Sequence, residues 1–458
     1  MPNSATTASS NKYDIVIIGG GPAGTTAASL LAHKGWDVLL LEKDSHPRFH
    51  IGESLLPMTL PILDELGVLD KINAIGIPKY GAEFNSSTHS NSKETFYFSD
   101  AWDKSHPSAL EVVRSKFDEI LFRNTASFNV DARENCKVIA IDFPDSQSTE
   151  LNFIDESGEH RLVSAKFLID ASGRETFLSK KLKLKQKSKK HNTAAIFGHF
   201  TNVERREGKD AGNISIYWFK HGWFWMIPLQ NDLMSIGAVC YPEYLKKRHQ
   251  SVEKFFHTTV DLVPEVRERM INAEAAGKIR ATGNFTYNSS RMYGDKGENY
   301  LLLGDAYAFI DPVFSSGVQI AMSGGKLAAD AVDTLLRDPS LNRKPLKDYE
   351  KKISKALKTF SWLIIRFNSP AMQKLFMAPG NQFRIKEALI SLLAGDLYRN
   401  TPIGSRLLLF KFIYYLTFFG NFPKAWANYR RRKRNVPNIF QGGTTAQDRQ
   451  ESKEDITD

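Results

Sequence analysis

Residues 13–44, YDIVIIGGGPAGTTAASLLAHKGWDVLLLEKD, constrain this chain more than any other stretch. The apolar, β-branched run at 13–18 has the pattern of a strand buried on both faces. Gly19, Gly21 and Gly24 follow in G-x-G-x-x-G spacing, and Pro22 and Ala23 open a helix rich in Ala and Leu. A second apolar run, 37–41, ends at Glu42, 18 residues past the third glycine. Glycines allow a tight turn and close approach of backbone to a pyrophosphate. A helix N-terminus offers free N–H groups and partial positive charge, and an acid at a strand end accepts hydrogen bonds from ribose hydroxyls. Strand, turn, helix, strand and acid in this order predict a Rossmann-like nucleotide site in an α/β fold. A Gly-rich turn without a ligand is the alternative.

At 458 residues the chain is too long for one simple core, and its 42% hydrophobic and 24% charged content is that of a globular protein. Two cysteines, Cys136 and Cys240, argue against a disulfide framework and point to a reducing, cytoplasmic setting. The segment MPNSATTASSNK has no apolar core of a signal peptide. Net charge is +10, concentrated in 179–190 and 429–434. Such runs are usually solvated faces; an acidic partner or a membrane surface is the other reading. Without zinc-ligand spacing or basic runs interleaved with aromatics, neither a metal nor nucleic acid is expected.

Later segments narrow the nucleotide. FLIDASGR (167–174) is an apolar strand running into Asp170 and Gly173, and NYLLLGDAYAFIDP (299–312) is another, ending in Gly304-Asp305. EVVRSKFDEIL (111–121) has a helical pattern around Arg114. Together these resemble the FAD monooxygenase superfamily. The resemblance implies that Asp305 contacts the flavin ribityl chain and that Arg114 is an FAD contact. An i,i+4 pair between Arg114 and Asp118 is equally allowed by spacing. By the same resemblance Lys43, Arg48, Ser54, Asp170, Gly304, Pro312 and Gly317 join the cofactor group. An FAD-binding part at about 12–80, 105–175 and 285–335 is expected. A substrate region of antiparallel strands, about 80–105 and 175–285, is expected to be inserted in it. GNISIYWFKHGWFWMIPL and LMSIGAVCY would be consecutive strands joined at QND. Residues 336–435 should be helical, and 436–458 a disordered tail.

Three further stretches point to a narrower family. WFWMIPL fits W-x-W-x-I-P through Trp223, Trp225, Ile227 and Pro228. FHIGESLLP carries Gly52-Glu53-Ser54, and FIDPVFSSG fits F-x-x-P-x-x-S-x-G through Phe309, Pro312, Ser315 and Gly317. GIPKYGAEF adds Lys79. Over about 12–335 these motifs resemble the flavin-dependent halogenases, in the branch acting on phenols and carrier-bound aromatics. The resemblance implies FADH2 from a separate flavin reductase, with O2 and chloride or bromide as co-substrates. A flavin hydroperoxide would oxidise halide to hypohalous acid, and Lys79 would present the halogen to an aromatic ring. Backbone N–H groups at Ser316-Gly317 are the candidate halide site. Trp223 and Trp225, on one face of a strand, would form an apolar partition between flavin and substrate; ordinary core packing is the alternative. Tryptophan halogenases carry a glutamate where this chain has Phe314, which argues against free tryptophan as substrate and leaves no assigned base for the ring proton. A related aromatic hydroxylase or prenyl-chain reductase is the competing function.

The stretch GSRLLLFKFIYYLTFFGNFPKAWANYRRRKRN (404–435) is apolar, then basic. Its charge-free run, 412–422, is shorter than the roughly 20 residues a bilayer crossing needs. Packing over the substrate region, a peripheral membrane helix and docking of an acidic acyl carrier protein all remain open.

Overall fold

The computed structural model describes residues 11–435 except 90–91, 146–147, 189–190, 284–285, 296, 400 and 421. The expected disordered tail, 436–458, lies outside the described residues. Strand β1 (Asn11–Ile18), helix α1 (Pro22–His33) and strand β2 (Val38–Leu41) build the nucleotide end. β1 runs parallel to β2 on one side and to the long strand His160–Asp170 on the other. Asp131–Arg133 extends the sheet beyond β2, and Tyr300–Leu302 pairs in parallel with the end of the long strand. Two antiparallel strands, Thr149–Ile154 and Lys137–Asp142, close the other edge. The apolar run is buried on both faces because the pleat divides it. Ile15 and Ile17 enter one core cluster, and Val16 and Ile18 enter another.

Two strands outside this sheet carry chemistry. β3 (Gly76–Lys79) and β4 (Ala109–Val112) pair antiparallel. Helix α2 (Arg114–Asn124) starts just after β4, so Glu111 and Val112 of the expected helical stretch are strand. Adjacent β-branched Val112 and Val113 favour that outcome, and β3 supplies the pairing partner.

The inserted sheet has the order Glu274–Ala275, Ala194–Thr201, Met234–Cys240, β5 (Gly222–Pro228), Ile214–Phe219, Gly81–Asn85 and Lys93–Tyr97. It is antiparallel except where 214–217 runs parallel to 82–85. The expected join at QND is a two-residue hairpin turn. Asn231 and Asp232 have φ of 57° and 58°, and Leu233 N–H donates to Gln230 O at 3.3 Å. The preceding run, GNISIYWFKHGWFWMIPL, itself holds two strands that pair antiparallel.

Helix α3 (Ser316–Arg337) packs on α1 along small residues: a Cβ on Gly325 would lie 2.7 Å from the Ala23 carbonyl oxygen. Helix α4 (Lys344–Arg366), two shorter helices, α5 (Gly404–Gly420) and α6 (Phe422–Asn435) follow, as the helical expectation for the last third requires. Among the described residues no helix is long and apolar enough to cross a membrane.

Candidate active site

A cavity of about 390 Å³ opens where β1 and β2 end. Two helices aim their N-termini at it. α1 begins with Pro22 after Gly21 and has no side-chain cap; α3 begins after Ser315 (φ 54°) and has none either, nor any acid in its first turn. Uncapped first-turn N–H groups, which need partners, are what a pyrophosphate satisfies. Gly19, Gly21, Pro22 and Ala23 line the groove, as do Glu42, Lys43, Arg48, Arg114, Asp305 and Gly317. Gly24 shapes the turn from behind: a Cβ there would lie 2.0 Å from the Gly19 carbonyl oxygen. These residues fit FAD.

Other residues assigned to the cofactor sit differently. Asp170 accepts hydrogen bonds from the backbone N–H of Ser172 at 2.9 Å and of Leu178 at 2.8 Å, which fixes the loop at the strand end. Gly304 takes the left-handed turn (φ 51°) that delivers Asp305. Pro312 starts the short helical turn 312–314 outside the groove lining, with Asp311 accepting from Val313 N–H at 3.2 Å. Ser54 does not line the groove; its hydroxyl serves Lys79. Arg174, not singled out in the sequence, does line it. Its GR context after the Asp170 strand was the available signal.

Charge in the groove is paired. The Glu42 carboxylate accepts Gly20 N–H at 2.8 Å and meets Arg48 at 3.1 Å. Arg48 reaches Asp118 at 3.4 Å, and Arg114 meets Asp118 at 2.8 Å. The i,i+4 pair and the groove position of Arg114 are therefore both realised. Burial, the largest single influence, would raise the Asp118 carboxyl, but Arg114, His50 and Arg48 together hold it below the ordinary carboxylate value. Burial pushes the Asp305 carboxyl up to about 6, against the pull of Arg174 and Arg114. The His50 imidazole falls to about 4, through burial first and Arg114 second.

A second group is buried outside the groove lining. Lys79, at the end of β3, is 1% exposed. Its ammonium donates to Ser54 Oγ at 2.7 Å and Leu55 O at 3.1 Å, and lies 5.4 Å from the centroid of the Phe98 ring. Burial lowers its proton affinity, and Glu111 offsets that in part. The neighbouring Glu53 is taken up by His199 at 2.8 Å. Sequence reading missed both Glu111 and this Glu53–His199 pair.

Trp223 and Trp225 lie on one face of β5 with ring centroids 5.9 Å apart. They join Phe314, Phe84, Phe96 and Phe367 in one core cluster. Trp223 meets Phe367 edge-on at 6.2 Å, and Phe314 meets the same ring at 5.3 Å. Trp225 donates to Ser235 Oγ at 3.2 Å. Each indole is nearly fully buried, worth roughly 4–6 kcal/mol of transfer free energy. Gly237 stands opposite Trp225: a Cβ there would be 2.3 Å from the indole, so the wall needs a glycine across from it.

Fold and groove together define an FAD-dependent oxidoreductase. The FAD binding domain family matches residues 12–352. A chlorinase from Pseudomonas fluorescens, named for 1H-pyrrole-2-carbonyl groups on a peptidyl carrier protein, is 29% identical over 416 residues. That match spans 85% of this chain and 90% of the chlorinase. A flavin-dependent halogenase of Armillaria mellea is 32% identical over 378 residues, 77% of this chain and 73% of the relative. The solved myxobacterial chondrochloren halogenase, 29% identical, superposes with a TM-score of 0.75, covering 90% of this chain and 97% of its own. The chain belongs to the flavin-dependent halogenases.

Proposed function

We propose that this halogenase installs chloride or bromide on an electron-rich aromatic ring, a phenol or a ring carried on an acyl carrier protein, with Lys79 as the catalytic residue. The observation that carries this is the Lys79 ammonium. It is out of water and holds only two described acceptors, so one N–H is left to meet hypohalous acid. Reduced FAD, delivered by a separate flavin reductase, supplies with O2 the oxidising equivalents that turn halide into hypohalous acid. The chain's own residues do the rest. The first turn of α3, at Ser316 and Gly317, holds the halide by backbone N–H groups. The Trp223–Trp225 wall keeps a bulky ring from the groove, and Lys79 orients the halogen. Phe314 keeps the substrate side apolar, which suits phenols and acylated rings better than a free amino acid.

Carrier-bound presentation is supported by the relatives' names and by charge. Residues 404–435 hold eight Lys and Arg and no Asp or Glu, and Arg430 and Lys433 of α6 are exposed. An acidic carrier protein would be steered to this face. A second reading, contact with an anionic membrane surface, is favoured by Leu408, Phe412, Leu416 and Phe419, which form an exposed apolar stripe on α5. The experiment is mass spectrometry of products from phenols and carrier-bound acyl aromatics, with reductase, FAD, and chloride or bromide. Halide-dependent halogenated product is expected. Oxygenated product formed without halide would replace the reading with a hydroxylase.

A further inference from the structure

Glu111 is a carboxylate that neither the motifs nor the groove account for. In the β3–β4 pair, Ile77 stands opposite Glu111 and Lys79 opposite Ala109. All four side chains therefore leave one face, and Lys79 and Glu111 are diagonal neighbours. Among the described ion pairs none joins them directly. The Ser54 hydroxyl stands between: it accepts from Lys79 Nζ at 2.7 Å and donates to Glu111 Oε1 at 3.1 Å. A hydroxyl has one proton to donate, so this N–H···O–H···O line has a defined direction. Glu111 is 0% exposed, and its Oε2 has no described partner. A carboxylate buried in this way is costly, and a hydrophobic residue would stabilise the pair of strands more simply.

The groups facing this line come from every element around it. Glu53, one residue before Ser54, acts on Glu111 as a like charge while itself bound to His199. The Leu55 carbonyl takes the second Lys79 N–H, and the Phe98 ring covers the ammonium. Burial pushes the Glu111 carboxyl up to about 8, with Lys79 and Ser54 pulling it back and Glu53 adding to the rise. Burial moves Lys79 down. Two groups far apart in proton affinity in water are thus brought toward each other, the condition for a proton to rest on either.

Resting on the halogenase reading of Lys79, we propose that Glu111 is a positioning residue that takes a proton from the Lys79 ammonium through the Ser54 hydroxyl. A Lys79 proton passes to Ser54 Oγ as the serine's own proton passes to Glu111 Oε1. The products are a neutral amine, an unchanged hydroxyl and a neutral carboxylic acid. The amine attacks the halogen of hypohalous acid; the N–halogen bond forms, the O–halogen bond breaks, and hydroxide leaves with an amine proton as water. When the halogen passes to the ring, the ring proton ends on the lysine nitrogen, so no separate base is required. Glu111 then returns its proton as the lysine recharges.

The test uses the full chain with reductase, FAD and an accepted aromatic substrate, comparing Glu111→Gln, Glu111→Asp, Ser54→Ala and Lys79→Ala. Glu111→Gln and Ser54→Ala are expected to lower ring halogenation roughly 10–100-fold. Glu111→Asp should recover part of it. FAD affinity, and hypohalous acid released to a thioether trap without aromatic substrate, should stay near wild type in all four. The wild-type kcat profile should carry an ionisation near pH 8, belonging to the pair, that Glu111→Gln displaces by more than about one pH unit. Glu111→Gln with wild-type rate and pH profile overturns the relay while Lys79→Ala stays inactive. Full activity in Lys79→Ala overturns instead the reading beneath it. Should Glu111→Gln fail to fold, Ser54→Ala carries the same readouts: a wild-type profile there overturns the relay, and a displaced one supports it.

Discussion

In the cofactor groove Arg114 meets Asp118 at 2.8 Å, and Arg48 adds a contact to the same carboxylate at 3.4 Å. In the lysine pocket a serine hydroxyl separates Lys79 from Glu111. Both clusters put a cation and a carboxylate out of water, yet their proton affinities move in opposite senses. Asp118 ends below its ordinary value, because Arg114, His50 and Arg48 together exceed the cost of burial. Glu111 ends near 8, because burial exceeds the attraction of Lys79. Contact distance decides between them, since desolvation acts on each group alone while Coulomb attraction needs a near partner. The groove residues thus hold fixed charge, and in the proposed relay the Lys79 cluster holds charge loosely enough to move.

The largest expected effect tests the pocket side. Lys79→Ala should cut ring halogenation by about 10²–10⁴-fold while flavin fluorescence titration gives an unchanged FAD affinity. A large loss of FAD binding would show that the two regions are not separate. Arg114→Ala breaks the groove side. It leaves Asp118 buried with only the longer Arg48 contact, so it should cost about 3–5 kcal/mol of stability, read by denaturant unfolding, and weaken FAD binding as well. It should also change the pH response. Asp118 has a depressed proton affinity when folded, so its stabilisation is full above its unfolded pKa of about 3.9 and is lost as pH falls below that. In the variant this acid-side loss should flatten. An unfolding midpoint that keeps the wild-type acid slope would remove Asp118 from the argument.

A smaller effect concerns the proposed Trp223–Trp225 wall. Gly237→Ala would set a Cβ 2.3 Å from the Trp225 indole and 2.6 Å from Phe197 Cβ. Overpacking of this kind should cost about 1–3 kcal/mol. If the wall separates flavin from ring, the variant should also release more hypohalous acid per halogenated product. An unchanged ratio with lowered stability would make the indoles core and nothing more.

The groove was legible and the pocket only half so, for a physical reason. Residues 13–44 act through contacts between near neighbours in sequence, so strand, turn, helix and acid can be read in order. Lys79 was visible by its motif, but Glu111 lies 32 residues further on and reaches it only through the register of β3 on β4. Ser54 was grouped with the cofactor because its motif sits beside the nucleotide region; the structure turns its hydroxyl to Lys79. Arg114 was left between two readings, and the geometry joins them. The parallel pairing of 214–217 with 82–85 had no local signal at all, since its partners are more than 130 residues apart.

The smallest effect lies on α6. Arg430 and Lys433 are exposed, so replacing both with Glu should leave FAD affinity and stability almost unchanged. If an acidic carrier protein docks here, its KM should rise several-fold at low salt while kcat is kept, and the difference should shrink as salt is added. With a free phenol neither constant should move, because no docking step exists to weaken. Loss of sedimentation with anionic vesicles in the same variant, with carrier kinetics intact, would assign the surface to lipid instead. Groove and pocket would then stand unaltered, since neither depends on how the ring arrives.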